Sequence, residues 1–171
     1  MAATHPKTVY LSLGSNLGDR QVNLERAIAR MNSSGIAVRR VSSLYQTEPV
    51  DFPAQGWFLN CVVEAETSLL PLQLLHELRR IERLLGRRRM VRRGPRGIDI
   101  DILLYENAIV RSAELQVPHP RMTDRRFVLQ PLRELAPWLR HPAFQKSVTE
   151  LLAATPDRSQ VRRWRGGENR K

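Results

Sequence analysis

The segment Ile98-Asp99-Ile100-Asp101-Ile102-Leu103-Leu104-Tyr105 constrains this chain more than any other. Its period is two, which is the period of a β-strand. Ile98, Ile100, Ile102 and Leu104 are expected on one face, against a core. Asp99 and Asp101 then share the opposite face, with Cα atoms about 6.6–7 Å apart for a rise of about 3.3 Å per residue. Two carboxylates on one rigid strand repel, and such a pair tolerates burial poorly unless a cation lies between them. Hard oxygen ligands suit magnesium, which shares its shell with waters and substrate phosphates. Two metals clamping attacking and leaving oxygens recur in phosphoryl chemistry. The plain alternative is a half-exposed strand whose solvated face happens to be aspartate, although aspartate is disfavoured in strands.

Chain length and periodicity place that strand in a small fold. A chain of 171 residues fits one domain, 1–171, with a core over about 8–155 and a basic tail over 156–171. Residues 8–13 read as a buried strand. The turn Gly14-Ser15-Asn16-Leu17-Gly18-Asp19 leads into an amphipathic helix over 19–33, with Leu24, Ile28 and Met31 in register. A second strand is expected over 36–45, a loop over 46–56 and a long third strand over 57–67. Pro71 opens a second helix and Gly86 stops it; residues 98–105 are the fourth strand. The order β-α-β-β-α-β predicts an α+β, ferredoxin-like sandwich with two helices on one face of an antiparallel-rich sheet. Helical candidates over 121–135 and 147–154 are expected to cover the other face, and 160–171 to fray.

Charge adds a partner class. The net charge is +11, and of 28 basic residues only Lys7, Lys146 and Lys171 are lysine. Arginine presents a planar fork of donors suited to phosphate, so an anionic partner is implied, either nucleic acid or a polyphosphate. Arg87, Arg88, Arg89, Arg92, Arg93 and Arg96 crowd the segment that delivers the chain to Asp99. Like charges keep such a loop open until a polyphosphate draws it in as a lid. An RNA-binding module is the competing reading. It expects exposed aromatics on the central strands, where this chain has Asp99 and Asp101, and aromatic content is only 6%. A different metal-dependent phosphotransferase on the same scaffold is a further alternative.

The remaining residues narrow the field. Asn60 in an apolar strand is suggestive, because a buried amide needs partners that a heterocycle edge can supply. Phe58 and Phe127 read by default as core, and His119, between two prolines, as an anchor of a rigid loop. Cys61 lies in an apolar run and reads as a buried thiol. His5, His76 and His141 lack metal-ligand spacing. No apolar run is long enough for a signal-peptide core or a membrane span, so a cytoplasmic protein is expected. No exposed apolar stripe stands out, so a monomer is expected.

Four segments in order resemble the 6-hydroxymethyl-7,8-dihydropterin pyrophosphokinase family over about residues 8–155. They are Gly14-Ser15-Asn16-Leu17, Phe58-Leu59-Asn60, Gly94-Pro95-Arg96-Gly97 with the following Ile-Asp alternation, and Val117-Pro118-His119-Pro120-Arg121-Met122 with Arg125 and Phe127. The resemblance implies a ferredoxin-like fold and transfer of diphosphate from ATP to the hydroxymethyl-pterin, with release of AMP, in folate synthesis. It implies two magnesium ions on Asp99 and Asp101, with Arg96 completing the catalytic set. It implies ATP contacts from Glu82, Arg87, Arg89, Arg92, Arg96, His119 and Arg125. Pterin contacts are implied for Thr47, Pro49, Val50, Phe58, Asn60 and Phe127. Nucleic acid and membrane are not expected partners. The sequence departs from the family pattern at Arg93, where tryptophan is common, at Pro120, where an aromatic residue is frequent, and in a basic loop about one residue shorter than in some relatives.

Overall fold

The computed structural model describes residues 5–49, 56–86 and 97–166. Strand β1 (Lys7–Ser15) runs between two neighbours, β4 (Phe58–Thr67) and β5 (Asp99–Tyr105), and pairs antiparallel with both. Outside β4 lie β2 (Ile36–Val41) and β3 (Tyr45–Thr47), and outside β3 lies β8 (Val161–Arg163). All of these pairings are antiparallel. Helices α1 (Arg20–Asn32) and α2 (Pro71–Leu84) cover one face; α3 (Arg126–Leu135) and α4 (Val148–Ala154) lie over the other. The fold is thus mixed α/β with an antiparallel sheet between helical layers.

The alternation of β1 and β4 builds both cores. Val9, Leu11 and Leu13 pack with Leu59, Cys61, Val63 and Ala65 beneath α1 and α2. Tyr10 and Val62 point the other way, toward Val128, Leu132 and Leu135 of α3. Helix boundaries follow their caps. Asp19 accepts from Val22 N at the start of α1, and Pro71 opens α2, where its missing N–H costs nothing. Gly86, at φ +80°, takes the left-handed turn that ends α2.

Several expectations are corrected. The second strand does not run unbroken from 36 to 45. Ser42 Oγ accepts from Val62 N at 2.9 Å, so a hydroxyl takes the place of the ladder carbonyl and the chain re-enters the sheet as β3. The loop assigned to 46–56 begins later, because Gln46 and Thr47 belong to β3. The candidate helix over 121–135 divides into a 3₁₀ turn at Met122–Asp124 and α3. The Asp157 carboxylate accepts from Arg126 N at 2.8 Å at that break. The fourth strand carries a bulge. The register with β1 shifts between Tyr10 and Leu11, and Leu103 and Leu104 both join the α3 side. Leu104 therefore does not share a face with Ile98, Ile100 and Ile102. The tail is not frayed from residue 160, since Val161–Arg163 pair with β3. A small hairpin, β6 (Val110–Arg111) with β7 (Gln116–Val117), had no sequence-based expectation.

Candidate active site

On the open part of the α3-side face, three strands bring side chains into rows. Gly14 of β1 pairs with Asn60 on one side and Asp99 on the other. One step along, Ser12 pairs with Val62 and Asp101. Asp99 and Asp101 are half-buried on a shared face, as their spacing predicts. Two small residues of β1, Ser12 and Gly14, stand opposite them.

Gly14 is a close-approach glycine. A Cβ there would lie 2.5 Å from Asn60 Oδ1 and 3.6 Å from Phe58 Cδ1. Asn60 is buried at 3% exposure, and its Nδ2 donates to Thr47 Oγ1 at 2.6 Å. Thr47 pairs with the half-buried Phe58 across β3 and β4. The structure thus brings Thr47, Phe58 and Asn60 together, with half-buried Pro49 two residues beyond Thr47. Asn16 Nδ2 reaches Gly56 O at 3.3 Å, which ties the first turn to the start of β4.

His119 enters from the segment after β7. Its N–H donates to Leu103 O at 2.9 Å, which docks the turn on β5. Its Nδ1 accepts from Arg121 N at 3.1 Å, so that nitrogen carries no proton and Nε2 holds the hydrogen of the neutral ring. Burial, then the positive charge of Arg125, lower its pKa to about 4, against an opposing pull from Asp99. His119, Asp99 and Arg125 therefore lie within one electrostatic neighbourhood. The Arg125 guanidinium stands over the Phe127 ring, 5.5 Å from its centroid, and Phe127 is half-buried against the α3 core. His119 also borders a cavity of about 270 Å³ with Arg111, Gln116, Thr123 and His141; neither aspartate lines it.

Glu82 sits differently from a surface ligand. It is 2% exposed on α2, and its Oε1 accepts from Ile100 N at 2.9 Å. It thus holds the backbone between the two aspartates from the outer edge of β5. Arg87, Arg89, Arg92, Arg96 and Val50 lie outside the described residues.

Among the described residues, no three His, Cys, Asp or Glu side chains gather as a metal cluster. Two carboxylates on one face fit a cation that completes its shell with water and phosphate oxygens, as magnesium does. Cys61 is fully buried, and burial raises its thiol to about 12, as expected of a core thiol. No helix of the described residues is long and apolar enough to cross a membrane. Sequence reasoning ended the first strand at residue 13 and treated Gly14 as turn. The small residues Ser12 and Gly14, two apart on a strand that runs to Ser15, were the available signal for the row they form.

Fold and site together define a small α/β protein with two carboxylates on one strand face, and its relatives give the class, a pyrophosphokinase. The model of the 7,8-dihydro-6-hydroxymethylpterin-pyrophosphokinase (HPPK) family matches residues 10–137, and the chain belongs to that family. It is 43% identical over 157 residues to the 2-amino-4-hydroxy-6-hydroxymethyldihydropteridine pyrophosphokinase of Bacillus subtilis, covering 91% of this chain and 89% of that one. The enzyme of the same name from Aquifex aeolicus is 42% identical over 143 residues, with 84% and 89% covered. The folic acid synthesis protein fol1 of Pneumocystis carinii is 45% identical over 142 residues, which are 83% of this chain and 19% of that protein. The Plasmodium falciparum HPPK-DHPS wild type, solved with pterin and p-hydroxybenzoate, superposes with a TM-score of 0.68 at 16% identity. A second HPPK-DHPS structure, in complex with substrates, gives 0.71 at 14% identity. This chain covers 86% and 88% of itself in those matches but only 41% and 43% of the solved chains, and the likeness is one of fold. The comparisons give an RNA-binding module no support.

Proposed function

We propose that the chain transfers the terminal diphosphate of ATP to the hydroxymethyl oxygen of 6-hydroxymethyl-7,8-dihydropterin and releases AMP. The observation that carries this reading is the row Asn60–Gly14–Asp99 across β4, β1 and β5. Two strand spacings separate the amide from the carboxylate backbone, about 10 Å. A bicyclic ring held at Asn60 would extend its substituent over Gly14 toward Asp99.

Asn60 and Thr47 would read the polar edge of the ring, with Pro49 and Val50 beside them. Phe58 and Phe127 would hold its faces. Asp99 and Asp101 would hold two magnesium ions, which when bound neutralise phosphate charge and lower the pKa of the attacking hydroxyl. Asp99 would sit near the hydroxymethyl oxygen that attacks the β-phosphorus. His119, with its ring hydrogen on Nε2, would donate through that nitrogen to a phosphate oxygen. Arg125, with Arg87, Arg89, Arg92 and Arg96, would bind the phosphates, and Arg96 would stabilise charge developing toward the leaving AMP. Closing the arginine-rich segment would exclude water and suppress hydrolysis of ATP. Glu82 would act at the nucleotide edge of β5.

The order β5, β1, β4, then β2 and β3, with α1 and α2 on one face, supports a ferredoxin-like core. A monomer in the cytoplasm is proposed with it; a free, buried Cys61 accords with a reducing compartment.

Incubation with ATP, magnesium and the reduced pterin decides the reading. Pterin-dependent AMP is expected. ADP as product, or AMP formation indifferent to the pterin, overturns it.

A further inference from the structure

The C-terminal segment after α4 has no place in the chemistry above and lies beyond the residues 10–137 matched by the family model. It nevertheless returns to the sheet beside Thr47. Val161, Arg162 and Arg163 pair with Thr47, Gln46 and Tyr45. Just before that ladder, Glu48 N donates to Gln160 O at 3.3 Å, and Gln160 N donates to the Glu48 carboxylate. Just after it, Trp164 N donates to Leu44 O at 2.7 Å.

Its side chains grip both faces. On the α3 side, the Arg163 guanidinium reaches Glu134 at 2.9 Å and Ser43 Oγ at 2.6 Å. On the α1 side, Trp164 packs against the core below the sheet, and its Nε1 donates to Gln21 Oε1 at 3.3 Å. The Arg20 guanidinium lies over the Trp164 ring at 5.2 Å and donates to Trp57 O at 2.8 Å. Arg162 stands over the Trp57 ring at 5.7 Å. Glu48 and Trp57 are the two ends of the connection between β3 and β4, and each adjoins a proposed pterin residue, Thr47 or Phe58. One strap therefore holds both ends.

We infer that residues 160–164 are a positioning strap for the pterin side of the site, with Trp164 as its anchor and Arg162 as its clamp on Trp57. The strap's bonds to Glu48 and its stacking on Trp57 fall at the two ends of the connection that carries the proposed pterin residues, so its effect is expected on pterin binding. This inference rests on the pterin assignment for Thr47, Phe58 and Asn60.

The test uses the full chain with Trp164→Ala, Trp164→Phe and Arg162→Ala. Trp164→Ala is expected to raise the pterin KM about fivefold or more, with the ATP KM and kcat within about twofold, as loss of a packed aromatic anchor and its cation–π contact implies. Trp164→Phe keeps a ring and recovers most of the difference. Arg162→Ala, at an exposed side chain that opens no core, raises the pterin KM about two- to threefold. Hydrogen exchange over residues 45–49 reads the strap without substrate, and the Glu48 amide should exchange faster in Trp164→Ala. A wild-type enzyme without pterin-dependent AMP sinks the pterin assignment, while the exchange data still judge the strap. Unchanged pterin KM in both alanine variants, or a parallel loss for both substrates with no rescue by phenylalanine, overturns the strap. Should Trp164→Ala not fold, Arg162→Ala and the exchange of Trp164→Phe decide.

Discussion

Gly14 leaves the space that the Asn60 amide occupies: a Cβ there would lie 2.5 Å from Asn60 Oδ1. That separation is well inside any van der Waals contact, and Asn60 cannot retreat without breaking its 2.6 Å bond to Thr47. Gly14→Ala is expected to cost about 1–3 kcal/mol of stability by overpacking. It should also raise the pterin KM about tenfold or more, since the displaced amide is a buried hydrogen-bonding group. Chemical denaturation and steady-state kinetics with each substrate varied check both parts. An alanine variant with wild-type pterin KM would show that the amide's position does not matter.

Asp101 is half-buried at the edge of the sheet, so its removal opens no apolar cavity. Asp101→Ala is expected to lower AMP formation by on the order of a hundredfold or more, the scale of losing a preorganised electrostatic group. Its melting temperature should move by only a few degrees, as for surface substitutions. Normal turnover of this variant with magnesium refutes the metal role.

Glu82 supplies the acceptor for Ile100 N inside the protein, at 2.9 Å. Glu82→Ala leaves that N–H without its carboxylate and is expected to destabilise by about 1–3 kcal/mol. Glu82→Gln keeps a carbonyl oxygen at the same place and should recover most of it. Urea unfolding of the pair measures this. Equal loss in both variants would mean that charge, and not the accepted hydrogen bond, is what Glu82 contributes.

Glu134 gathers the β3 edge and the strap. Burial tends to raise its pKa, but bonds from the Ser43 hydroxyl and N–H, from Tyr45 and from Arg163 outweigh that and hold it below the ordinary carboxylate value. With the folded pKa depressed, the stabilisation is complete above the unfolded value, about 4.3, and is lost as pH falls through the folded one. The stability gap between wild type and Glu134→Gln should therefore be larger at pH 7 than at pH 3. Urea midpoints across that range check it, and a gap independent of pH counts against the ionised role.

How far the site was legible depended on which residues were local to each other. Asp99 and Asp101 stand on one face because two residues along a strand return to the same side, and that holds whatever the strand pairs with. The caps at Asp19, Pro71 and Gly86 were equally local, and they fell where the helices begin and end. Leu104 was misplaced because a bulge is a relation between two strands, and nothing within residues 98–105 announces it. The tail was misread for the same reason. Val161–Arg163 carry no apolar alternation of their own, and their order comes from the open edge of β3 and from Glu134, 29 residues before Arg163.

The sequence by itself determined the order of the core strands and helices, the shared face of the two aspartates, the buried thiol and the family motifs, because periodicity, capping and residue chemistry act over a few positions. Only the tertiary structure decided that Asn60, Gly14 and Asp99 form one row, that Glu82 grips the backbone between the aspartates, and that the last described strand pairs with β3 beside Thr47. Those depend on register between segments 45 or more residues apart or on a helix laid against a sheet edge, and such relations are settled by packing across the core and not by any stretch of chain alone.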